Sequence, residues 1–266
     1  MLSNFHTHST FCDGNDMLED IVISAIESGF SALGFSGHAY THFDLSYCMK
    51  DTDAYISEVG RLKEKYRNDI DIFLGLEEDS YSPVLREKLD YIIGSSHYLS
   101  INGKYMAIDS GLEGFESAYR EYGGNIVKMA EDYYGAFCEY ILRRKPDIVG
   151  HFDLITKYDE LRGFEFLSNK EYKKIAAKYA EEAAKSGCVF EINTGAISRG
   201  VRTSPYPSVD LLHAFKKADV PIILSSDSHS KDTLSCGFNE AKALLREVGY
   251  RQAVTLTRDG FKKYDI

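Results

Sequence analysis

The sequence has few of the features that mark secreted or membrane proteins. Its five cysteines are an odd number, lie far apart and form no Cys-x-x-Cys pair, which argues against a disulfide framework and for a reducing compartment. No run approaches the roughly 20 apolar residues that a membrane-spanning helix needs. The first residues, MLSNFHTHS, lack the basic start and apolar run of a signal peptide. We therefore expect a soluble, cytoplasmic protein with no membrane partner.

Positive charge is also scarce. The chain has 31 lysines and arginines against 41 aspartates and glutamates, a net charge of -10, and no basic block. A groove for polymeric nucleic acid is therefore not expected. An anionic small substrate is still compatible with this composition, because bound metal ions can be the largest local charges in a site.

Short apolar runs alternate along the chain with stretches of helical periodicity. The candidate strands cover residues 3–7, 32–37, 70–76, 90–96, 147–151, 188–193 and 220–226. The candidate helices cover residues 16–29, 51–67, 115–144, 169–186, 208–218 and 237–248. The chain contains no linker, low-complexity tract or internal repeat, so residues 1–266 are interpreted as a single domain.

Alternating strands and helices predict an α/β fold, with a parallel sheet and helices outside it. The continuous apolar strand VPIILSS fits a sheet that is buried on both faces. Seven such units are accommodated better by a closed barrel than by an open sheet. The long gap at 98–146 is predicted to be a helical insertion, and its tyrosines could cover a site as well as pack.

Polar side chains with metal-ligating chemistry stand at the ends of all seven predicted strands. They are His6, His8, His38, Glu77, His97, His151, Glu191, Asn193, Asp227 and His229. Each one alone could be a turn residue, a core histidine or a helix start. These alternatives would have to hold independently at seven strand ends. Because active sites of parallel α/β barrels lie at the C-terminal ends of the strands, the pattern favours a metal site.

Mixed imidazole and carboxylate ligands suit zinc, manganese or iron. The candidates are too many for one tetrahedral ion, so we expect two or three divalent metal ions. Closely spaced ions lower the pKa of bound water and clamp the attacking and leaving oxygens of a displacement. That chemistry suits hydrolysis, above all of a small phosphorylated substrate.

Seven motifs carry a resemblance to a known family. In chain order they are HTHSTFCDG, SGH, GLEED, GSSHY, GHFDLI, EINTGAISRG and SSDSH. Together they resemble the PHP (polymerase and histidinol phosphatase) family over residues 6–229. The length and the EINTGAISRG segment are most similar to the monofunctional histidinol-phosphate phosphatases of histidine biosynthesis. The resemblance implies a distorted (β/α)7 TIM-like barrel with a trinuclear metal site.

The resemblance also implies an assignment of ligands. The first metal would take His6, His8, Glu77 and Asp227, the second Glu77, His97 and His151, and the third Asp13, His38 and His229. The alternative for Asp13 is an Asp-Gly turn, which is compatible with a ligand role. The sequence departs from the family pattern at Gly37, where the family usually has an acidic residue before the histidine. A carboxylate that would orient His38 is therefore missing from that position.

Arginine suits phosphate recognition because its planar fork binds oxyanions with two hydrogen bonds. Arg199 and Arg162 resemble the phosphate-contacting arginines of histidinol phosphatases. Arg162 could instead be a surface charge, and Arg202 and Lys157 are close enough in sequence to be alternatives.

Three further roles complete the expected site. Asp227 or His229 is predicted to assist proton transfer to the leaving alkoxide, beside Arg199, which stabilises the phosphoryl oxygens. His42 and Tyr47 lie on a loop predicted to shape the pocket for the amino-imidazole part of the substrate. No serine or cysteine has a recognisable nucleophile setting.

The expected function is a histidinol-phosphatase that hydrolyses L-histidinol phosphate through a metal-bound hydroxide, as a monomer or small homo-oligomer. One alternative is a PHP phosphoesterase acting on a nucleotide or another small ester. Another is a non-catalytic metal-binding regulatory protein, which the complete ligand set and Arg199 argue against. Amidohydrolase-like barrels commonly carry a bridging lysine, which no predicted strand end supplies here.

Overall fold

The computed structural model describes residues 2–266. The strands are β1 Ser3–Asn4, β2 Ala32–Phe35, β3 Asp71–Asp79, β4 Tyr91–Ser95, β5 Tyr98–Ile101, β6 Lys104–Ala107, β7 Ile148–Val149, β8 Val189–Asn193, β9 Ile222–Ser225, β10 Gln252–Thr257 and β11 Gly260–Asp265. The helices are α1 Leu18–Glu27, α2 Thr52–Lys65, α3 Leu112–Glu121, α4 Ile126–Arg144, α5 Asp159–Arg162, α6 Lys170–Ala184, α7 Gly195–Ser198, α8 Val209–Lys217 and α9 Phe238–Val248. No helix within residues 2–266 combines the length and the apolar character needed to cross a membrane.

The main sheet confirms the predicted α/β fold. Its strand order is β1-β2-β3-β4-β7-β8-β9-β10-β11, and every neighbouring pair is parallel except the last. All seven predicted strands are present, although β1 and β7 are shorter than expected. Beyond their ends, Thr7 and Ser228 form a parallel bridge, and the His8 amide donates to the Ser228 carbonyl at 2.8 Å. The segments that follow β1 and β9 therefore meet where the predicted metal ligands lie.

Tyr91 fills the space enclosed by the first strands. Its hydroxyl donates to the Phe5 carbonyl at 2.6 Å and lies 3.1 Å from the Phe35 carbonyl. A Cβ atom at Gly34 or Gly75 would lie 2.4 Å from this side chain. The two glycines thus admit a tyrosine that packs the interior beneath the site.

Two differences from the predicted elements have local causes. The helix expected over 115–144 is divided into α3 and α4 at Gly123 and Gly124, whose φ angles of 60° and 77° are left-handed. The 98–146 segment is not wholly helical, because it begins with the antiparallel hairpin β5–β6. A second hairpin, β10–β11, extends the main sheet and was not predicted either.

A buried ion pair fixes α4 to β3. Glu78 is fully buried, and its carboxylate accepts hydrogen bonds from Arg144 Nε and Nη2 at 2.6 and 2.9 Å. The Tyr140 hydroxyl donates to the same carboxylate at 2.6 Å, and the Val84 amide at 2.8 Å. Glu78 points away from the neighbouring Glu77, as strand alternation requires, so this clamp holds the strand that carries Glu77.

Candidate metal centre

The structure brings all nine predicted metal ligands to the C-terminal ends of the parallel strands. Four groups have donor atoms within 4.8 Å of one another: His8, Asp13, His38 and His229; His6, Glu77 and His151; His6, His8 and Asp227; and His38, Glu77 and His97. These groups overlap with the ligand sets implied by the family resemblance but do not coincide with them. The arrangement therefore has room for more than one ion.

Glu77 is the centre of this cluster. Its Oε2 atom lies 3.2 Å from His6 Nε2, 3.5 Å from His8 Nε2 and 3.0 Å from His38 Nδ1. Its Oε1 atom lies 3.0 Å from His151 Nε2 and 3.3 Å from His97 Nε2, and it accepts a hydrogen bond from Ser95 at 2.6 Å. A carboxylate between two sets of imidazoles is placed to bridge two ions.

Several buried donor atoms fit bound metal ions. His6 Nε2, His8 Nε2 and Glu77 Oε2 are buried and find no hydrogen-bond partner among residues 2–266. Leaving such groups unpaired in a protein interior costs free energy, so they are usually satisfied by another group or an ion. Imidazole nitrogens with carboxylate oxygens are the donors that zinc, manganese and iron accept. The residues present thus fit the implied metals.

Two further carboxylates orient metal-ligating histidines. Glu191 Oε1 accepts a hydrogen bond from His6 Nδ1 at 2.6 Å, which leaves the Nε2 lone pair facing the centre. Its Oε2 atom accepts from the His151 backbone amide and from the Asn193 side chain, each at 3.0 Å. Asp79 similarly lies 3.3 Å from His97 Nδ1. Such partners fix the tautomer and the ring orientation of a ligand.

The charges of the cluster act differently on its members. Burial opposes protonation of His6 and His97, but the neighbouring carboxylates outweigh it and raise the pKa of both, whereas Glu77 and His8 are held in the forms that bind metals. Burial opposes ionisation of Glu77, but the surrounding histidines, first of all His6 and His38, outweigh it and hold the pKa well below its usual value. Burial, together with His229 and His38, lowers the pKa of His8 to about 3. An ionised carboxylate and a neutral imidazole are the forms that coordinate metal ions.

The loop after β1 carries Asp13 back over the strand ends. Asp13 Oδ2 lies 3.3 Å from His229 Nε2 and 3.6 Å from His38 Nε2. The loop also makes the alternative turn, because the Gly14 amide donates to the Ser9 carbonyl at 3.0 Å. A Cβ atom at Gly14 would lie 2.4 Å from Ser9 N, so this close approach requires glycine. The turn at Gly14 is therefore compatible with a position of Asp13 beside the two histidines.

Cys12 lies beside Gly37, the position at which the family usually has an acidic residue. A side chain at Gly37 would begin 3.1 Å from Cys12 Sγ and 3.1 Å from Met49 Cε. Cys12 Sγ also lies 3.6 Å from His8 Nδ1, within hydrogen-bonding distance for sulfur. The thiol therefore contacts a candidate metal ligand, on the side of the ring that carries Nδ1.

A cavity of about 380 Å³ opens onto the centre. It is lined by Arg199, Lys157, Tyr47, Asp44 and Asp109 as well as by metal-ligand candidates. Arg199 Nη2 donates to Asp227 Oδ2 at 3.0 Å, and its Nη1 donates to the Asp227 carbonyl at 2.9 Å. Lys157 Nζ donates to the Asp109 carbonyl at 3.0 Å. Two cations therefore stand beside the centre.

Arg162 and His42 lie outside the lining of this cavity. The Arg162 side chain is 58% exposed, with Nε 3.9 Å from Glu116. His42 is exposed, and its ring packs against Phe43. Arg202 is buried elsewhere, with its guanidinium 4.4 Å from the Tyr206 ring centroid. Lys157, one of the alternatives to Arg162, lies after β7 and lines the cavity.

The strands of a mostly parallel sheet end in this cluster, and helices connect them. These features define a metal-binding α/β protein with its site at the C-terminal strand ends. A sequence profile described as PHP domain matches residues 4–195. The chain therefore belongs to the PHP domain family.

Similar proteins are known from other organisms. The chain is 29% identical over 267 residues to the probable histidinol-phosphatase of Schizosaccharomyces pombe, covering 92% of this chain and 86% of that protein. It is 25% identical over 253 residues to the histidinol-phosphatase of Bacillus subtilis, covering 84% and 92%. The fold also matches the crystal structure of histidinol phosphate phosphatase from Lactococcus lactis, complexed with zinc, L-histidinol and phosphate. The two sequences are 21% identical, the TM-score is 0.70, and 98% of each chain is covered. This last likeness supports the fold.

Proposed function

We propose that this chain is a metal-dependent phosphomonoesterase that hydrolyses L-histidinol phosphate to L-histidinol and phosphate. The observation that carries the proposal is the convergence of a polynuclear metal-binding cluster and two cations, Arg199 and Lys157, on one cavity. The names of the similar proteins from S. pombe and B. subtilis support the choice of substrate.

The cluster around Glu77 would hold the metal ions, with Glu77 bridging two of them. Bound divalent ions supply Lewis acidity and a water of lowered pKa. Glu191 and Asp79 contribute by fixing the imidazoles of His6 and His97 before the ions bind. The pre-set donors then need little rearrangement on metal binding.

Arg199 and Lys157 are proposed to bind the phosphoryl oxygens. The Arg199 guanidinium is held at two points by Asp227, so it is fixed in orientation before the substrate arrives. Lys157 has a side chain only 13% exposed and presents its ammonium group to the same cavity. Fixed cations stabilise the charge on the phosphoryl oxygens in the transition state.

Asp227 and His229 are the proposed groups for proton transfer to the leaving alkoxide. The His229 side chain is 23% exposed and lines the cavity, whereas that of Asp227 is 8% exposed and is already bonded by Arg199. His229 is therefore better placed to reach a leaving oxygen inside the cavity.

The direct test is phosphate release by the purified protein loaded with zinc or manganese. Histidinol phosphate, nucleoside monophosphates and p-nitrophenyl phosphate are compared under the same conditions. We expect the highest kcat/KM for histidinol phosphate. A strong preference for a nucleotide would overturn the histidinol assignment, and no turnover of any ester by protein with confirmed metal content would favour a non-catalytic role.

A further inference from the structure

Two segments of the chain carry the cations that line the cavity. The segment after β7 carries Lys157, which follows the short 3₁₀-helix Leu154–Thr156. The segment after β8 carries Arg199, which follows α7 and is fixed by two hydrogen bonds to Asp227. Lysine has a long and flexible side chain, so the place of its ammonium group depends on where its backbone lies. The separation of the two cations therefore depends on how the two segments are held together.

Arg202 connects these two segments. Its backbone belongs to the segment after β8, where its amide donates to the Ala196 carbonyl at 3.2 Å. Its side chain reaches the other segment, where Nη1 donates to Thr156 Oγ1 at 2.6 Å. The Thr156 hydroxyl donates in turn to the Asp153 carbonyl at 2.8 Å. The residue immediately before Lys157 is thus held by a side chain from the segment that carries Arg199.

The Arg202 guanidinium is enclosed by protein groups. Its side chain is fully buried, its Cζ lies 4.4 Å from the Tyr206 ring centroid, and its Nη2 donates to the Ser204 hydroxyl at 3.2 Å. Burial opposes its charge, but Asp153, Tyr206 and Glu160 outweigh it and raise the pKa of the guanidinium. Apolar residues of similar volume often serve stability as well as a buried charged group does. The position of this charge therefore points to a role in geometry.

A second contact joins the same two segments farther along the chain. Glu160 lies in α5, and its Oε2 accepts a hydrogen bond from the Thr203 backbone amide at 2.8 Å. Of the two contacts, the one between Arg202 and Thr156 reaches the residue next to Lys157. Arg202 itself is not part of the cavity lining. Its effect on a ligand in the cavity must therefore be transmitted by a neighbouring residue.

We propose that Arg202 is a positioning residue that sets, through Thr156, where the Lys157 ammonium group lies beside the metal centre. It holds the two segments so that Lys157 and Arg199 meet the oxygens of one phosphate group. The inference rests on the proposed phosphate-binding role of Lys157 and adds a residue outside the cavity on which that role depends. A displaced cation binds phosphate less tightly, because hydrogen bonds weaken steeply when their distance and angle are lost.

The test measures the Kd of inorganic phosphate for the zinc-loaded protein by calorimetry. Thr156→Val keeps the shape of the side chain but removes the hydroxyl that Arg202 contacts. We expect the Kd to rise about 3–10-fold, the range of one hydrogen bond, with the zinc content unchanged. Thr156→Ser retains the hydroxyl and should keep the wild-type Kd. Arg202→Met should raise the Kd at least as much as Thr156→Val, and Thr156→Val decides the question where Arg202→Met does not fold.

A double-mutant cycle with Lys157→Met identifies the route of the effect. If Arg202 acts through Lys157, Thr156→Val should raise the Kd in the wild-type background and leave it unchanged in the Lys157→Met background. An equal rise in both backgrounds would overturn the inference, because the effect would not pass through Lys157.

Thr203→Val is the matched control. Thr203 is exposed on the same loop as Arg202, and its side chain makes no hydrogen bond with the described residues. The same chemical change at this position should leave the Kd at the wild-type value. A rise as large as that of Thr156→Val would overturn the inference, and so would the absence of a rise in Thr156→Val itself.

Failure of the proposed function gives a different result. It would appear as the absence of phosphate release from histidinol phosphate by a wild-type protein that still binds phosphate. The Kd values need no turnover, so they decide the role of Arg202 in that case as well. If the zinc-loaded wild-type protein bound no phosphate, the inference itself would be overturned.

Discussion

A single carboxylate, Glu191, holds two ligand-bearing segments of the centre through His6 and the His151 backbone. Glu191→Gln keeps the size of the side chain but replaces a charged acceptor of the His6 proton by a neutral one. We expect the affinity for zinc or manganese to fall about 10–100-fold, because the orientation and basicity of His6 depend on this partner. Competition with a chelator of known affinity measures the change.

Glu240→Gln is the matched control, because it makes the same change of charge at an exposed residue of α9 that is neither a candidate ligand nor part of the cavity lining. It should bind metal as the wild type does. Equal metal affinity in both variants would show that Glu191 serves packing alone.

Arg199 gives a second prediction at the scale of one residue. Arg199→Ala removes a guanidinium that Asp227 fixes beside the centre. We expect kcat/KM for histidinol phosphate to fall about 100-fold, since a fixed donor to the transition-state charge is lost. Metal content, measured by plasma emission spectrometry, should be unchanged. Loss of metal in this variant would instead assign Arg199 a structural role, and Arg162→Ala should have a much smaller effect on kcat/KM because its side chain is exposed.

The sequence predicts residues of the centre well where parallel strands position them. His38, Glu77 and His97 could be placed because parallel strands end on the same side of a sheet. The role of Glu191 could not be predicted, because it depends on a contact with His6. Glu191 lies in β8 and His6 follows β1, and the two residues are far apart in sequence. The cavity wall at Asp44 lies on a loop whose course no periodicity determines.

The clamp between α4 and β3 is the feature of a single element with the largest expected effect on stability. Arg144→Ala leaves the fully buried Glu78 carboxylate with Tyr140 and the Val84 amide as its only partners among the described residues. Breaking a buried pair from one side costs about 3–5 kcal/mol, and about 3 kcal/mol is expected here because Arg144 is 25% exposed. Urea unfolding measures the free energy of unfolding.

The neighbouring Arg143 on the same helix is exposed and provides the control. Arg143→Ala removes the same charge and should change the free energy of unfolding by less than about 0.5 kcal/mol. If the two variants were equally stable, the Glu78 clamp would contribute nothing beyond a surface charge.

The two hairpins that were not predicted, β5–β6 and β10–β11, each have a recognisable turn sequence. Asn102-Gly103 separates β5 from β6, and both residues have the positive φ angles, 51° and 77°, that a tight hairpin turn needs. Asp259-Gly260 similarly leads into β11. The strands β6 and β11 are too polar to form an apolar run, whereas AVTL in β10 is a short buried run that the prediction missed. The Gly123-Gly124 break in the 115–144 helix was likewise visible as a glycine pair.

At the scale of the whole molecule, metal binding is expected to stabilise the fold. The candidate ligands come from segments between His6, which follows β1, and His229, which follows β9, so a bound ion would join parts of the chain that are far apart in sequence. Ions at about 1,000 times their Kd should add about 4 kcal/mol to the free energy of unfolding. Calorimetric melting of the chelator-treated protein, before and after reloading with zinc or manganese, should show a higher Tm after reloading.

Two variants show whether that gain comes from the centre. Glu77→Gln replaces the central carboxylate of the cluster by a neutral amide and should lose most of the increase in Tm on reloading. His213→Ala changes an exposed histidine on α8 and should keep it. The same increase in both variants would place the stabilising ion somewhere other than the cluster.

The contact between the segments that follow β1 and β9 has a consequence for the synthesis of the chain. Asn4 bonds Ser226, 222 positions away, and the Thr7–Ser228 bridge lies directly above it. Asn4 therefore finds its final partner only after the 222 positions that follow it have been made. Until then the imidazoles of His6 and His8 lack Asp227 and His229, and the nascent chain cannot assemble the complete cluster. Contacts so distant in sequence form slowly, so acquisition of metal should be among the last events of folding.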